Sequence, residues 1–255
     1  MIFIKTPQEI KIMEEGGKLL SKVMKELGEM VKSGITTDEL NRAAEALILK
    51  LGAKPNFKGY GGFPAALCVS INEEIVHGVP SQRVLKNGDI VSLDCGLMWK
   101  GFHSDMAFTL GVGNIDPEAQ RLIRTTKKAL KRGIANLKPG NTFGDVGNAI
   151  ERHIESQGFG VVKDLCGHGI GKDLHEDPKI LNYGKRHKGL EIKKGMVVCL
   201  EPMATMGDYH IKSSGNGCSF ETRDGSLSAH FEHMLAVTER GCQMLTEIPF
   251  YAKMY

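Results

Sequence analysis

Several features that define whole classes of protein are missing from this 255-residue sequence. No apolar run approaches the roughly 20 residues of a membrane span, and residues 1–5 are too short for the core of a signal peptide. The six cysteines form no C-x-x-C pair, which favours reduced, buried thiols over disulfides or a zinc ribbon. A formal net charge of +3 is too small to indicate nucleic-acid binding by itself. Together these absences predict a globular domain in a reducing cytoplasm.

Phosphate-binding glycine motifs are absent as well. Residues 166–171, C-G-H-G-I-G, contain neither G-x-G-x-x-G nor G-K-[ST]. We interpret these glycines as allowing the backbone to bring His168 close to a metal. The chain also shows no low-complexity segment, so we expect a single domain over residues 1–255, with internal halves of about 1–112 and 113–247.

Residues 90–110 are the most informative stretch. We predict a β-hairpin with Lys100-Gly101 at its turn, which places Asp105 opposite Gly96. Asp94 and Asp105 then become diagonal neighbours on one face, with Cβ atoms roughly 7–8 Å apart. Two buried carboxylates need a cation between them because desolvating unpaired charges is costly. An exposed face with two solvated aspartates is the alternative at this point.

The same pattern occurs a second time. Lysine, glycine, an apolar run and a terminal carboxylate recur 107 residues later, so that Asp94 has a counterpart in Glu201. Three further matches follow the same order: His103-Ser104-Asp105 with His230-Phe231-Glu232, His77-Gly78-Val79 with His168-Gly169-Ile170, and Gly34 to Gly52 with Gly140 to Gly158. We infer two helix–helix–hairpin units related by a pseudo-twofold axis, each delivering two carboxylates to a shared centre.

Helix signals flank both hairpins. Capping boxes at Thr6 and Thr36 predict helices that end near Gly34 and Gly52. Asp116 and Thr142 begin two more, ending near Leu137 and Gly158. The remaining predictions are a strand at 67–71, further strands within 195–245, loops at 59–64, 165–171 and 172–194, and a tail at 248–255.

The predicted centre is rich in oxygen ligands. It collects carboxylates from strands and imidazoles from loops: Asp94, Asp105, Glu201 and Glu232, with His77, His168 and His175. Such a set suits Mn, Fe, Co or Zn as divalent ions, and two of them if carboxylates bridge. Two ions roughly 3.5–4 Å apart can hold a hydroxide and polarise a carbonyl, which is typical of a hydrolase.

These residues, in this order, resemble the methionine aminopeptidases. The motifs that carry the resemblance are N-E-E-I-V-H-G-V-P at 72–80, Asp94 and Asp105, G-H-G-I-G at 167–171, His175, E-P-M at 201–203, and Glu232. The resemblance extends from Thr6 to Thr246 and implies an α+β, pita-bread fold. The absence of a long insertion between His175 and Glu201 is similar to type I, and no cysteine- and histidine-rich extension precedes Met1, as in the short bacterial form.

The resemblance also implies a role for each matching residue. The five ligands of a dinuclear site would be Asp94, Asp105, His168, Glu201 and Glu232, with Asp105 and Glu232 contacting both ions. Glu201 would shuttle the proton of a bridging water, His77 would position the scissile amide, and His175 would donate to its carbonyl oxygen. The methionine pocket would contain Tyr60, Phe63, Cys68 and Leu174. Leu174 stands where the family commonly has an aromatic, and Cys218 where it can have tryptophan.

The implied activity is removal of initiator methionine from nascent proteins when the second residue is small. One alternative is a related peptidase cleaving before proline, which usually carries an additional N-terminal domain. Another is a pita-bread binding protein that has lost its metals and acts on RNA or ribosomes. We expect a cytoplasmic monomer that does not enter membranes. The basic loop with Lys185, Arg186 and Lys188 is either a solvated surface or a contact for ribosomal RNA phosphates.

Overall fold

The computed structural model describes residues 2–247, so the predicted tail at 248–255 lies outside the described residues. Its α-helices are α1 (Pro7–Met30), α2 (Thr37–Lys50), α3 (Pro117–Asn136) and α4 (Phe143–Glu155). None of these helices has the length and apolar character needed to cross a bilayer, within residues 2–247.

The strands are mostly short. In chain order they are β1 (Lys54–Pro55), β2 (Leu67–Ile71), β3 (Glu74–Val76), β4 (Ile90–Trp99), β5 (Phe102–Gly111), β6 (Gly160–Val161), β7 (Cys166–Gly169), β8 (Glu176–Leu181), β9 (Val197–Leu200), β10 (Met203–Thr205), β11 (Ile211–Ser213), β12 (Phe220–Thr222), β13 (Ser228–His230), β14 (Glu232–Val237) and β15 (Cys242–Met244).

One antiparallel sheet contains most of the strands that carry predicted site residues. Its order is β1-β4-β5-β14-β9-β7-β8, with β2 also pairing with β4 and β15 with β14. Outward from the β5–β14 boundary, one side runs β5, β4, β2 and the other runs β14, β9, β7. This symmetry is the predicted duplication: β4–β5 and β9–β14 are equivalent pairs that meet in the middle of the sheet.

The β4–β5 hairpin has the predicted register and turn. Gly96 pairs with Asp105, and Asp94 pairs with Ala107. Lys100 and Gly101 have φ values of 48° and 84°, the left-handed pair that a two-residue hairpin turn requires. Residues 90–97 are all buried, which excludes the alternative of a solvated aspartate face.

Local sequence signals explain where the helices begin. At α1 the Thr6 hydroxyl accepts a hydrogen bond from the Glu9 amide and the Glu9 carboxylate accepts one from the Thr6 amide, and Thr36 and Glu39 repeat this capping box at α2. Helix α1 ends at Met30, earlier than the predicted end near Gly34. The reason is tertiary: the Gly34 amide donates to the Leu85 carbonyl at 2.9 Å, which draws the chain out of the helix.

All four helices pack on the sheet through one continuous apolar core. The first half contributes residues such as Leu20 and Leu27, and the second half residues such as Leu122 and Ile150. Helix α1 lies over the odd-numbered face of β4, where Gly16 approaches Leu97 and Trp99. The even-numbered face, which carries Asp94, is thereby left for the site.

Two predictions about the second half are wrong. The predicted turn at 165–171 contains strand β7 (Cys166–Gly169), and the predicted loop at 172–194 contains strand β8. Strand β7 is held between β8 and β9 by non-local pairing, which its glycine-rich sequence does not reveal.

The proposed match of His77 with His168 is also not a structural equivalence. His168 lies in β7, which occupies the place of β2 in the other half. His77 instead follows β3, whose sheet partner is β12. The other landmarks of the duplication, the strand pairs β4–β5 and β9–β14 with their carboxylates, do occupy equivalent positions in the sheet.

Candidate metal centre

Four carboxylates converge where the two halves of the sheet meet. Asp94, Asp105 and Glu232 each offer an oxygen, and these oxygens lie within 4.8 Å of one another. Glu232 reaches them because it pairs with Ala107, two residues beyond Asp105 on the adjacent strand. Glu201 directly follows β9 and completes the group from the second half.

His168 completes the set from strand β7. The pairing of β7 with β8 shifts register between Gly167 and Gly169, and such a bulge re-aims the side chain that it contains. A Cβ at Gly167 would lie 2.3 Å from the Cys199 carbonyl oxygen, so glycine permits the close strand approach. The interpretation that these glycines bring His168 to the centre therefore has a geometric basis.

The orientation of the His168 ring is fixed. Its Nδ1 lies 2.9 Å from the Gly169 carbonyl and donates to it, so the lone pair is on Nε2. Nε2 lies 3.7 Å from Oε1 of Glu201 and 3.8 Å from Oε1 of Glu232. These are not ion pairs, because burial lowers the pKa of His168 to about 3. The spacing suits neutral and anionic ligands around a shared ion.

Burial sets the electrostatics of the carboxylates. It raises the pKa of Asp94 to about 6, and raises the pKa values of Asp105, Glu201 and Glu232 well above their ordinary range. Asp94 Oδ1 and Glu232 Oε1 are buried without a hydrogen-bond partner. Orphaned buried oxygens beside an imidazole lone pair fit a divalent cation, which would replace protons and satisfy all of them.

The centre forms the floor of a cavity of about 780 Å³. One wall comes from an apolar cluster with Phe57, Cys68 and Leu174, against which Phe63 packs. The opposite wall comes from a second cluster with Val76 and Met203, against which Leu165 and Phe220 pack. The structure brings every predicted site residue to this cavity: Tyr60, Phe63, Cys68, His77, Asp94, Asp105, His168, Leu174, His175, Glu201 and Glu232, together with Cys218.

Two exposed histidines face the cavity above the carboxylates. His77 has a left-handed backbone, with φ of 59°, and its ring packs edge-on against Phe220 at a centroid distance of 6.0 Å. His175 lies with its ring centroid 4.4 Å from that of His168, and its Nδ1 is 2.8 Å from the Tyr60 hydroxyl. Both rings are placed to contact a molecule bound over the centre.

Three residues at the centre were not predicted from the sequence. Cys199 and His230 each join candidate ligand groups with Glu232, and Phe220 supplies an aromatic side chain to the cavity wall. The period of two along β9 places Cys199 on the same face as Glu201, and His230 stands in the repeated H-x-[DE] pattern. These two sequence patterns could have identified Cys199 and His230 as residues near the centre.

Comparison with known proteins identifies the family. Residues 11–239 match metallopeptidase family M24. The chain belongs to this family. Among its M24 relatives, the methionine aminopeptidase of Clostridium perfringens is 47% identical over 97% of the chain and all of the relative. Methionine aminopeptidase 1 of Bacillus subtilis is 45% identical with the same coverage.

Solved M24 structures agree with the fold. The methionine aminopeptidase of Thermotoga maritima superimposes with a TM-score of 0.95 at 43% identity, covering 97% of this chain and all of that one. This confirms the pita-bread, α+β prediction and the resemblance on which it rests. The prolidase of Pyrococcus furiosus shares the fold alone, at 24% identity and a TM-score of 0.78, and this chain covers 65% of its length. The proline-specific alternative is therefore not favoured.

Metal removal should make the stability of the protein fall as pH rises. The four carboxylates have folded-state pKa values above their unfolded values, about 6 for Asp94 and well above the ordinary range for the others, because burial disfavours their charged forms. The folded protein therefore binds more protons than the unfolded chain, and the stability that these protons provide is lost as pH rises through the folded pKa values.

His168 opposes this trend only at lower pH. Its pKa is depressed on folding, so it destabilises the folded state only below about pH 6.5, where an unfolded histidine becomes charged. As pH rises above about 6.5, where His168 no longer opposes the carboxylates, we expect the Tm of the chelated protein to fall while that of the metal-loaded protein stays level. Thermal unfolding followed by circular dichroism measures both. A level Tm in the chelated protein would contradict the assignment of these four carboxylates to one site.

Proposed function

We propose that this protein removes the N-terminal methionine of newly made proteins whose second residue is small. The observation that carries the proposal is a set of four carboxylates and one imidazole, all buried except the partly exposed Glu201, at the floor of a cavity with apolar walls. The relatives that the chain matches over nearly its whole length are named methionine aminopeptidases.

We propose that the centre binds two divalent ions, of Co, Mn, Fe or Zn. The ligands would be Asp94, Asp105, His168, Glu201 and Glu232, with Asp105 and Glu232 shared, because these two come from the adjacent strands β5 and β14. Bound divalent ions would supply Lewis-acid polarisation of the scissile carbonyl and a more acidic water.

The protein's own residues would bind and orient the substrate. The methionine side chain would lie among Tyr60, Phe63, Cys68 and Leu174, where its thioether gains from aromatic edges and apolar burial. His77 would position the amide that is cleaved. Glu201 would accept a proton from the attacking water and pass it on.

His175 is suited to donate to the substrate carbonyl. If the Tyr60 hydroxyl donates to His175 Nδ1 across 2.8 Å, the ring proton is on Nε2 and faces the cavity. Donation from Nε2 would strengthen as charge develops on the carbonyl oxygen.

We also propose that residues 1–255 act as one catalytic domain with halves 1–112 and 113–247, as a monomer in the cytoplasm. In support, the ligands come from both halves, and all six cysteines are free, which suits a reducing compartment.

Cleavage of Met-Ala-Ser by the metal-stripped and reloaded protein tests the function. We expect activity to be lost with chelation, restored by at least one of Co, Mn, Fe or Zn, and absent on Ala-Pro. Glu232→Ala should remove most of the activity with an unchanged circular dichroism spectrum, because it deletes a shared ligand. Undiminished turnover by chelated Glu232→Ala, or cleavage confined to Ala-Pro, would refute the proposal.

Replacing His77 separates substrate positioning from metal binding. His77→Ala should lower kcat by roughly 10²–10⁴-fold, as for loss of a positioned polar group, and should leave metal content unchanged. His210→Ala, at an exposed histidine outside the cavity lining, is the matched control. If metal content drops in step with activity, His77 is a ligand and its assignment is wrong.

Leu174 should set how strictly methionine is preferred. A flexible leucine leaves a wider pocket than an aromatic would, so Leu174→Phe should raise the ratio of kcat/KM for Met-Ala-Ser over Leu-Ala-Ser. A difference of one methylene or branch is worth about 1–3 kcal/mol in an apolar pocket, so the change should be modest. Leu190→Phe is the surface control. An unchanged ratio in Leu174→Phe would show that residue 174 does not determine the preference.

We further propose that the basic loop contacts ribosomal RNA. Lys185, Arg186 and Lys188 are exposed, and the loop backbone is held to α4, where the Gly144 amide donates to the Lys188 carbonyl at 3.0 Å. The charges therefore project from a fixed position.

Charge reversal tests this contact. Lys185→Glu with Lys188→Glu should reduce co-sedimentation with ribosomes and its dependence on salt, because phosphate contacts release counterions. Lys22→Glu with Lys50→Glu, on exposed positions of α1 and α2, controls for net charge. Co-sedimentation that is insensitive both to salt and to the loop substitutions would reject the contact.

A further inference from the structure

His230 is a buried polar side chain that the proposed mechanism leaves without a role. It is 1% exposed, and neither Nδ1 nor Nε2 has a hydrogen-bond partner among residues 2–247. A buried polar group without a partner is costly. An unpartnered, buried imidazole beside the candidate metal centre therefore indicates a functional role at that centre.

The backbone of His230 is held firmly in place. Its amide donates to the Thr109 hydroxyl at 2.8 Å, and that hydroxyl donates to the His230 carbonyl at 2.9 Å. Strand β13 also pairs with β10, where His230 lies opposite Met203. The point from which the ring projects toward the centre is therefore fixed.

The ring of His230 lies close to the carboxylate of Glu201. His230 Nε2 lies 3.5 Å from Oε2 of Glu201, while His168 Nε2 lies 3.7 Å from Oε1 of the same carboxylate. Two imidazoles thus bracket Glu201, one on each oxygen. An imidazole carries at least one ring N–H in either of its protonation states, so the His230 ring has a proton that it can donate.

The two imidazoles are suited to different tasks. His168 directs a lone pair inward because its Nδ1 donates to the Gly169 carbonyl. His230 has no such constraint, so its proton can reside on Nε2 and face Oε2. Closing the present gap by roughly 0.5 Å would give an ordinary N–H···O hydrogen bond.

We propose that His230 is a positioning residue for Glu201, donating from Nε2 to Oε2 so that Oε1 stays turned toward His168 and the metal. The proposal rests on the function proposed above. The carboxylate is then held by one oxygen in the orientation for binding, and its freedom to rotate or to bind through both oxygens is removed. Outer partners of ligating carboxylates act in this way.

The alternative is that His230 itself ligates. Its ring nitrogen, with oxygens of Glu201 and Glu232, forms a group whose atoms lie within 4.8 Å of one another. The two roles differ in one property: an amide can replace a hydrogen-bond donor, but it is a poor substitute for an imidazole ligand.

The experiment compares His230→Gln with His230→Leu in the full-length protein. Three quantities are measured: bound Co(II) per chain, the visible absorption spectrum of the Co(II) protein, and kcat and KM for Met-Ala-Ser. His230→Leu should keep its metal content, show an altered spectrum, and lose roughly 10–100-fold in kcat with little change in KM. His230→Gln should restore the native spectrum and most of kcat.

His153→Leu is the control for loss of a buried imidazole. His153 lies on α4 with its Nε2 also unpartnered, and its replacement should change none of the three quantities. If His230→Leu does not fold, the His230→Gln protein still decides between the roles.

Two outcomes overturn the proposal. If His230→Gln loses bound metal, the imidazole is a ligand; if His230→Leu matches the native protein in spectrum and kcat, His230 has no positioning role. The spectral comparison needs no turnover, so failure of the aminopeptidase activity itself would be seen separately in the native protein.

Discussion

Mutual repulsion and desolvation of four carboxylates, three of them buried and that of Glu201 partly exposed, are the constraint on which the structure depends. Asp94, Asp105, Glu201 and Glu232 share one small volume, and the charged partner that could balance them does not come from the protein. No lysine or arginine lines this cavity except Lys179, among residues 2–247. Leaving several buried carboxylates ionised and unpaired would strongly destabilise the folded state. A bound divalent cation would remove that destabilisation.

The sheet determines where the four carboxylates lie relative to one another. The β4–β5 hairpin and the antiparallel pair β9–β14 meet side by side, and the helices cover the opposite face with apolar side chains. This arrangement leaves the carboxylate face buried but reachable through the cavity. Rigid strands fix the oxygens, while His77 and His175, on turns and strand ends, line the cavity above them.

The sequence predicted the first half of the site well because its information is local. A two-residue turn at Lys100-Gly101 and the period of two along the strands determine which residues face each other, so the relation of Asp94 to Asp105 followed directly. Strand β7 was missed because its glycine-rich segment becomes a strand only through pairing with β8 and β9. The place of His230 was missed because its burial depends on Thr109 and Met203, which are distant in sequence.

Duplication has left the two halves of the site chemically unequal. Strand β7 supplies an imidazole, but its counterpart β2, L-C-V-S-I, contains no histidine. The candidate ligand group that contains His168 therefore offers nitrogen as well as oxygen, whereas the group of Asp94, Asp105 and Glu232 offers oxygen alone, a donor set that suits a harder cation. The pseudo-twofold axis therefore relates the backbones of the two halves but not the types of ligand atom that they supply.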